Sequence, residues 1–512
     1  MQAVEIRPDV YWVGVQDPEL RTFDIIMRTE NGSSYNAYLV RGEKNALIDT
    51  VKAKFADEFI ERIKAIMPIE NIDYLVLQHA EPDHAGAVEK ILELNPEMTV
   101  VAHPNTVEFL HEILNRDFKY KRVGNGKELD LGGKTLHFIS ALLLHWPDNI
   151  YSYLKEEKIL FSGDSFGSHY ADERLFDDII GDSFMHDFAY YYDKIMHPFK
   201  KQVYATMTKL EGLEIEMICP AHGPLLRKEP QRYIELYRKW SEPLPAREIP
   251  KIVIVYASAY GYTTLLKDKI IETMSRLGDF EIRCYDLESV EYARILADLE
   301  DACALLIGSP TINKDAPSVV WDFLSRLSPV VHQQLVAAAF GSYGWSGEAV
   351  LNIEKRLLTL RMHVVPGLRV RLKPDGAKLK EAEAFAERLV EAIQEKRKNI
   401  PNIFLPIFSD IREGKEEAGT GNMREYVSSD LIVYWYPDKC IHDTNCFVNL
   451  PEVFAPEKRP WVNLKGADPV AIMRNIDNCP SGALQYSIPE TSSIPAEFTG
   501  GKGLRKDYRK QK

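Results

Sequence analysis

The chain has 512 residues, 45% of them apolar and 27% charged, which is the make-up of an ordinary soluble globular protein with length for about three domains. A formal charge of −13 disfavours general nucleic-acid binding, and no run of roughly 18 apolar residues offers a membrane span. Six cysteines in so long a chain exclude a disulfide scaffold, and an N-terminus without a charged-then-apolar leader makes the cytoplasm the expected compartment.

Residues 1–248 alternate short β-branched runs with loops rich in His, Asp and Gly. Ser34 to Val40, Asn45 to Asp49 and Thr99 to Ala102 read as strands, and helical periodicity shows at 51–66 and 86–94. Strands interspersed with helices, with metal-ligand residue types at the strand ends, predict an αββα sandwich. The strongest signal is Leu77-Gln-His-Ala-Glu-Pro-Asp-His-Ala-Gly86, which follows the apolar run Tyr74 to Leu77. It packs His79, Glu81, Asp83 and His84 into six residues. Two imidazoles and two carboxylates at one strand end suit a pair of metal ions better than a covalent nucleophile. Mixed nitrogen and carboxylate donors fit iron or manganese, while all-nitrogen or sulfur sets lean to zinc or copper. Further ligand types stand at later strand ends, each beside Gly or Pro: His145 in Leu-Leu-Leu-His-Trp-Pro-Asp, Asp164 in Ser-Gly-Asp-Ser, His222 in Pro-Ala-His-Gly-Pro. Seven such positions can hold two metals, with one carboxylate bridging.

The segment Trp240 to Pro250, with three prolines, reads as a linker. Residues 249–398 then change pattern. Lys251 to Tyr256 is a nearly continuous apolar strand, as in a parallel sheet covered on both faces. A helix is predicted at 262–277, apolar strands at 304–307, 335–340 and 363–365, and a closing helix at 378–398. Strands alternating with helices predict a doubly wound domain. The loop Ala257-Ser-Ala-Tyr-Gly-Tyr-Thr-Thr264 is not the Gly-x-Gly-x-x-Gly of dinucleotide folds. It offers hydroxyls and backbone N–H groups at a helix start, an arrangement that suits a terminal phosphate monoester such as that of FMN. Gly308-Ser-Pro-Thr-Ile-Asn313 and Gly341-Ser-Tyr-Gly-Trp-Ser-Gly347 follow the next two strands, where ligands of such folds bind. Tyr343 and Trp345 can cover a flat isoalloxazine ring.

Residues 399–427 look like a second linker, 428–490 a compact module and 491–512 a basic tail. Cys219, Cys284 and Cys303 stand singly in apolar surroundings and read as buried packing residues. Cys440, Cys446 and Cys479 cluster in the module, and three thiolates can hold a [3Fe–4S] cluster or three corners of a [4Fe–4S] cluster. Asp443 is the candidate fourth ligand, with His442 as runner-up; three Cys plus His also suit zinc. In the tail, Lys502, Arg505, Lys506, Arg509, Lys510 and Lys512 face only Asp507. This reads as a solvated tail or as a docking arm for an acidic redox partner.

The order His-x-Glu-x-Asp-His, His-Trp-Pro-Asp, Ser-Gly-Asp, Ala-His-Gly-Pro resembles the metallo-β-lactamase superfamily and, within it, the flavodiiron proteins. That resemblance implies one iron held by His79, Glu81, His145 and Asp164, and a second by Asp83, His84, His222 and the same Asp164. It also implies that Phe166-Gly-Ser-His169 and Tyr191-Tyr192 sit near the irons, with His169 and Tyr192 as pocket groups. The three loops of the second domain resemble flavodoxin. Carried over, Ser258, Tyr260, Gly261, Tyr262 and Thr263 hold the FMN phosphate. Pro310, Thr311, Asn313, Tyr343, Gly344 and Trp345 line the flavin. The cysteine module resembles the divergent single-cluster ferredoxin type, with Asp443 where a middle cysteine usually stands.

The implied protein is a flavodiiron oxidoreductase that reduces dioxygen to water or nitric oxide to nitrous oxide. Its electron donor would be rubredoxin, ferredoxin or an NAD(P)H-linked reductase. A head-to-tail homodimer or dimer of dimers would bring flavin and irons of different copies together. The expected fold class is α/β multidomain: metallo-β-lactamase-like sandwich, flavodoxin-like doubly wound parallel sheet, and small α+β ferredoxin-like module. Two other readings stay open on the residues, a binuclear zinc hydrolase with an accessory flavin domain and a non-catalytic redox sensor. Glu81 argues against the first, because a zinc hydrolase with a similar loop usually carries a third histidine there.

Overall fold

A computed structural model gives the structure of the protein. It describes residues 2–397 except 246, residues 423–494 except 441–444, 457, 478, 480, 481, 490 and 491, and residues 505–506. The chain divides into two compact units, Met1–Pro243 with Glu416–Lys512, and Leu244–Lys415.

The first 243 residues build two sheets. One has seven strands in the order Val4–Arg7, Val10–Trp12, Tyr38–Val40, Ala46–Ile48, Tyr74–Leu77, Thr99–Ala102 and Tyr120–Arg122. Its first three pairings are antiparallel and its last three parallel. The other has five strands, Glu128–Asp130, Thr135–Ser140, Ile150–Leu154, Ile159–Phe161 and Met217–Cys219, antiparallel except for the last pair. Side-chain alternation divides the apolar residues between two cores. Tyr38, Val40, Ile48, Val76 and Val101 of the first sheet meet Leu136, Phe138, Ile150, Leu154 and Phe161 of the second, sheet against sheet. Their neighbours Leu39, Leu47, Leu75 and Leu77 point outward to helices Ala56–Lys64 and Val88–Leu94. Tyr151, Tyr153 and Leu160 point the opposite way, to helices Met185–Tyr191, Lys200–Lys209 and Pro230–Ser241. The result is the αββα sandwich. The last of these helices runs through Trp240, so the expected linker starts after Ser241.

The second unit carries one parallel sheet, ordered Glu281–Asp286, Lys251–Tyr256, Ala302–Gly308, Val336–Tyr343, with His363–Val364 and Leu368–Arg371 both paired to the last. Helices Tyr262–Leu277 and Gly376–Arg397 cover the face of Ile252, Ile254 and Leu306. Helices Tyr292–Leu299, Ser318–Ser325 and Glu348–Thr359 cover the face of Val253, Val255 and Ile307. Burial on both faces is why these strands read as unbroken apolar runs. The edge strand Glu281–Asp286 escaped sequence reading because it is mostly polar, and it exposes Cys284, which was expected to be buried. Cys303 is partly exposed, while Cys219 is fully buried.

After residue 422 the described residues form a sheet of Arg424–Val427, Ile432–Trp435, Leu484–Pro489 and Arg505–Lys506, with helices Asn445–Asn449 and Pro469–Asp477. Two expectations change here. Residues 424–427, assigned to the linker, pair antiparallel with Ile432–Trp435. Ile494, assigned to the tail, is buried in the module core beside Leu431, Val453 and Ile488, because an apolar side chain this close to the core gains more by burial than by solvation. Of the linker, 399–422 lies outside the described residues, as do Lys502, Asp507, Arg509, Lys510 and Lys512 of the tail.

Gly341 sits where strand Val336–Tyr343 passes the Ser309 carbonyl, and a Cβ there would overlap that oxygen. Gly341→Ala is expected to destabilise the second unit by about 1–3 kcal/mol, as overpacking does. Urea unfolding followed by circular dichroism checks this; an unchanged midpoint would show that the strand yields freely.

Candidate metal centre and cofactor sites

The two sheets of the sandwich converge their polar strand ends on one volume. Strand Tyr74–Leu77 ends at Gln78, and His79 and Glu81 follow before the short helix Pro82–Ala85, which carries Asp83 and His84. Pro82 opens that helix, a position where its missing N–H costs nothing. His145 lies between strands Thr135–Ser140 and Ile150–Leu154, Asp164 beyond Ile159–Phe161, and His222 beyond Met217–Cys219. His79, Asp83, His84, Asp164 and His222 are buried to below one-twentieth exposure, and Glu81 to 8%. The backbone is bent to reach this arrangement: Asp49, Leu143, His145 and Phe166 all take positive φ, between 57° and 65°.

Asp164 divides the donors. Its Oδ2 lies 2.6 Å from His145 Nε2 and 3.3 Å from His79 Nε2. Glu81 Oε2 is 3.0 Å from His145 Nε2 and 3.4 Å from His79 Nε2. Asp164 Oδ1 lies 3.0 Å from His84 Nε2 and 3.4 Å from His222 Nε2. Asp83 approaches the same two imidazoles at 3.4 and 3.3 Å. Two groups result, His79–Glu81–His145–Asp164 and Asp83–His84–His222, each with ligand atoms within 4.8 Å of one another. The set is oriented from behind. His222 Nδ1 donates to the Ser34 carbonyl at 2.6 Å, turning Nε2 inward, and Asp148 Oδ2 accepts from the Ala80 N–H at 2.9 Å.

The pocket fits two cations. Apart from these ion-pair approaches, both oxygens of Asp83, both ring nitrogens of His84, Asp164 Oδ1 and His222 Nε2 are buried without a hydrogen bond. Each such atom costs about 1–3 kcal/mol unless something satisfies it. Four imidazoles and three carboxylates are the donor mixture of iron or manganese rather than of zinc.

His169 and Tyr192 separate. His169 stands at the pocket, its ring 5.1 Å from that of His222 and 4.3 Å from Phe23, with Nδ1 2.8 Å from Ser33 Oγ. Burial, aided by the nearby His222, holds its pKa well below the ordinary value. Tyr192 turns away and packs on Tyr237 and Trp240, at the start of a wider π-helical turn, Tyr192–Met196. Tyr191 takes the pocket position instead, 4.9 Å from the His169 ring and 6.0 Å from that of His222. Sequence reading also missed Asp24. It lies at the tip of the hairpin Thr22–Phe23/Met27–Arg28, where burial and a hydrogen bond to Glu81 push its carboxyl up to about 6. Nothing in a lone Asp between Phe and Ile signals that contact.

In the second unit, three loops leave the C-terminal ends of adjacent strands. Gly261 at φ 75° begins helix Tyr262–Leu277, and Ser258 Oγ accepts the Thr264 N–H at 3.3 Å. Thr263 Oγ1 and Ser342 Oγ are 3.0 Å apart, joining the first loop to the third. The Thr311 N–H reaches the Ser342 carbonyl at 3.1 Å, joining the second. Pro310 is buried, Tyr343 and Gly344 are partly so, and Asn313 takes φ 50° in an exposed turn. Tyr260 and Trp345 are left 86% and 77% exposed, two uncovered aromatic faces beside a helix start. This is a fitting cradle for a phosphate bearing a flat ring.

In the third region, Cys440, Cys446 and Cys479 are partly buried. Burial, with the Cys440 and Cys479 thiols nearby, pushes the Cys446 thiol up to about 12, so the three sulfurs share one neighbourhood. Such crowding suits thiolates that share a cationic cluster. His442 and Asp443 lie outside the described residues.

A two-metal donor set on an αββα sandwich, followed by a doubly wound sheet with a phosphate-and-ring cradle, defines a metallo-β-lactamase-like flavin metalloprotein. The comparisons agree domain by domain: residues 34–223 match the ODP family beta lactamase model, 254–397 flavodoxin, and 426–489 the divergent 4Fe-4S mono-cluster. The chain is 42% identical to a type A flavoprotein of Rhodobacter capsulatus over 76% of its own length and 91% of the relative's. It is 37% identical to a flavo-diiron protein of Clostridium acetobutylicum (77% and 100%) and 34% identical to a nitric oxide reductase of Moorella thermoacetica (77% and 99%). Among solved structures, the rubredoxin oxygen:oxidoreductase of Desulfovibrio gigas aligns with TM-score 0.54 and 29% identity, over 77% of this chain and 100% of that one. The chain belongs to the flavodiiron protein family.

Without metal, His145 and His222 are basic. Although burial opposes it, Asp164 and Glu81 raise His145 to about 9, and Asp164 and Asp83 raise His222 to about 10. Near neutral pH each therefore carries a proton that a metal must displace. Divalent-metal affinity of the apoprotein is expected to rise with pH up to that range, by about tenfold per pH unit for each proton released. Titrating Fe²⁺ into apoprotein between pH 6 and 9, with proton release followed by dye, measures it; a flat affinity would mean the imidazoles are already neutral.

Proposed function

We propose that the chain is an oxidoreductase that reduces dioxygen to water, nitric oxide to nitrous oxide, or both, at a non-haem diiron centre. The observation that carries this reading is the division of the buried donors by the two oxygens of Asp164. His79, Glu81 and His145 with Asp164 would hold one iron, and Asp83, His84 and His222 with the same Asp164 the other. When bound, the iron pair supplies two electrons and open positions for a diatomic molecule. Relatives of the family are named for both gases, nitric oxide in Moorella and oxygen in Desulfovibrio.

The chain's own residues do the rest. Phe23 and Tyr191 line the pocket with rings packed beside His169 and His222. His169, neutral and fixed at Nδ1 by Ser33, has an unpartnered Nε2 that can hold or pass one proton beside the centre. Ser258 and Tyr260 to Thr263 would hold the phosphate of FMN, with Pro310, Thr311, Asn313, Tyr343, Gly344 and Trp345 around its ring. Cys440, Cys446 and Cys479 would hold the cluster, with Asp443 or His442 as its fourth ligand.

Once loaded, the cluster would supply single-electron and FMN two-electron capacity, so electrons from an external donor (rubredoxin, a ferredoxin or an NAD(P)H-linked reductase) would reach the irons by way of cluster and flavin. A head-to-tail homodimer or dimer of dimers pairs the flavin of one copy with the centre of another, as the family resemblance implies. The free thiols suit a reducing compartment, the cytoplasm. A binuclear zinc hydrolase would need neither the flavin cradle nor the oxygen-rich donor set.

Fully reduced holoprotein mixed anaerobically with each gas in stopped flow is expected to oxidise its flavin rapidly with at least one of them. Slow reoxidation by both, with about two zincs and no iron in the protein, would remove the oxidoreductase reading. Cys440→Ser is expected to slow flavin reduction by the donor while leaving reoxidation by the gas intact. Unchanged flavin reduction in that variant would show that electrons enter elsewhere.

A further inference from the structure

A file of aromatic rings runs outward from the metal centre, within the sandwich. Phe166 follows Asp164 by two residues and donates its backbone N–H to the Tyr237 hydroxyl at 2.8 Å. The Phe166 and Tyr237 rings lie 4.5 Å apart, centroid to centroid. Tyr237 meets Tyr192 edge-on at 5.0 Å, and Tyr192 meets Trp240 at 4.9 Å. Tyr237 and Trp240 also approach directly at 6.2 Å. Tyr237 is fully buried, Tyr192 nearly so, and Trp240 partly open to solvent.

Packing alone does not ask for these residue types. Phenylalanine fills the same space without a hydroxyl that burial obliges to find a partner. Here Tyr192 finds Ser241 Oγ at 2.6 Å, and Tyr237 finds the backbone that leads to Asp164. Tyrosine and tryptophan are the readily oxidised aromatic side chains, and rings in contact pass electrons in short hops. From the Asp164 carboxylate the route is two residues of backbone, one hydrogen bond and two ring contacts.

We propose that Tyr237, Tyr192 and Trp240 form an escape route that drains an oxidising equivalent from the metal centre when dioxygen arrives with too few electrons in store. The inference rests on the dioxygen-reducing reading above, since dioxygen is the oxidant. In each event the centre gains one electron through the relay and one proton from bulk water. Trp240 loses one electron and gives its indole N–H proton to solvent. The two buried tyrosines keep their protons and pass only the electron. The neutral tryptophan radical is restored when a small-molecule thiol of the medium transfers a hydrogen atom to it, and two thiyl radicals then couple to a disulfide. Trp146 is nearer the centre, 6.2 Å from His79 and 6.5 Å from His145, but its further ring contact is Phe109 at 6.1 Å, which does not carry the charge on.

The test uses iron- and flavin-loaded full-length protein, reduced with a deficit of electrons and exposed to dioxygen without thiol. Freeze-quench electron paramagnetic resonance is expected to show a tryptophan radical, present in Trp146→Phe and lost in Trp240→Phe. Peptide mass mapping is expected to place added oxygen on Trp240, and in Trp240→Phe on Tyr192, Tyr237 and the metal-ligand histidines. Dioxygen consumption with electrons in excess is expected to be unchanged by Trp240→Phe. A radical that survives Trp240→Phe, or oxidation centred on Trp146, overturns the relay. Consumption of dioxygen with no radical and an unmodified Trp240 overturns the relay alone; failure to hold iron or consume dioxygen overturns the reading beneath it as well.

Discussion

One carboxylate shared between two sets of imidazoles sets the terms for the first domain. Asp164 is 2% exposed, and its two oxygens face His145 and His79 on one side and His84 and His222 on the other. Against burial, those four histidines hold its carboxyl well below the usual range. Removing three carboxylates and four imidazoles from water costs several kcal/mol per ion, which mutual attraction alone does not reliably offset. The unpartnered atoms of Asp83 and His84 show that the protein's own contacts leave that cost standing. Cations at the two groups are the physical resolution. The left-handed backbone at Asp49, Leu143, His145 and Phe166 costs about 1–3 kcal/mol per residue on the same account, and the two flanking apolar cores make it bearable.

The ligand loops were legible in the sequence because each sets polar, metal-binding residue types at the end of an apolar run. Polarity where a strand should continue is hard to explain by packing. The parallel sheet was legible for the converse reason: strands covered on both faces, such as Lys251–Tyr256, have nothing polar to interrupt them. What stayed hidden depends on rotation about the chain rather than on residue type. Tyr191 and Tyr192 are identical side chains one position apart, and adjacent positions of a helix point in different directions, so only one of them faces His222. Asp24 reaches Glu81 through a hairpin whose two pairings lie far from the ligand loops in sequence. The strand Arg424–Val427 was read as linker because its sheet partner, Ile432–Trp435, supplies the pairing that its own charged sequence does not advertise.

The relatives align with about three-quarters of the chain, and the thiol-bearing module lies in the remainder. That division bears on how electrons arrive. A donor in free solution reaches a flavin at a rate set by its concentration and by salt-dependent steering. A donor on the same chain meets the flavin at an effective concentration set by the length of the connecting segment. The tether therefore exchanges dependence on donor supply for dependence on how fast the cluster itself is refilled. Under the dioxygen-reducing reading, a lag in refilling would leave the centre short of electrons when it meets dioxygen, with incomplete reduction as the dangerous outcome. A sandwich that confines such chemistry among buried histidines gains from any route that carries the surplus oxidising power away from them. The rings from Tyr237 to Trp240 would be such a route. An electron drawn along it spares the residues that hold the metals.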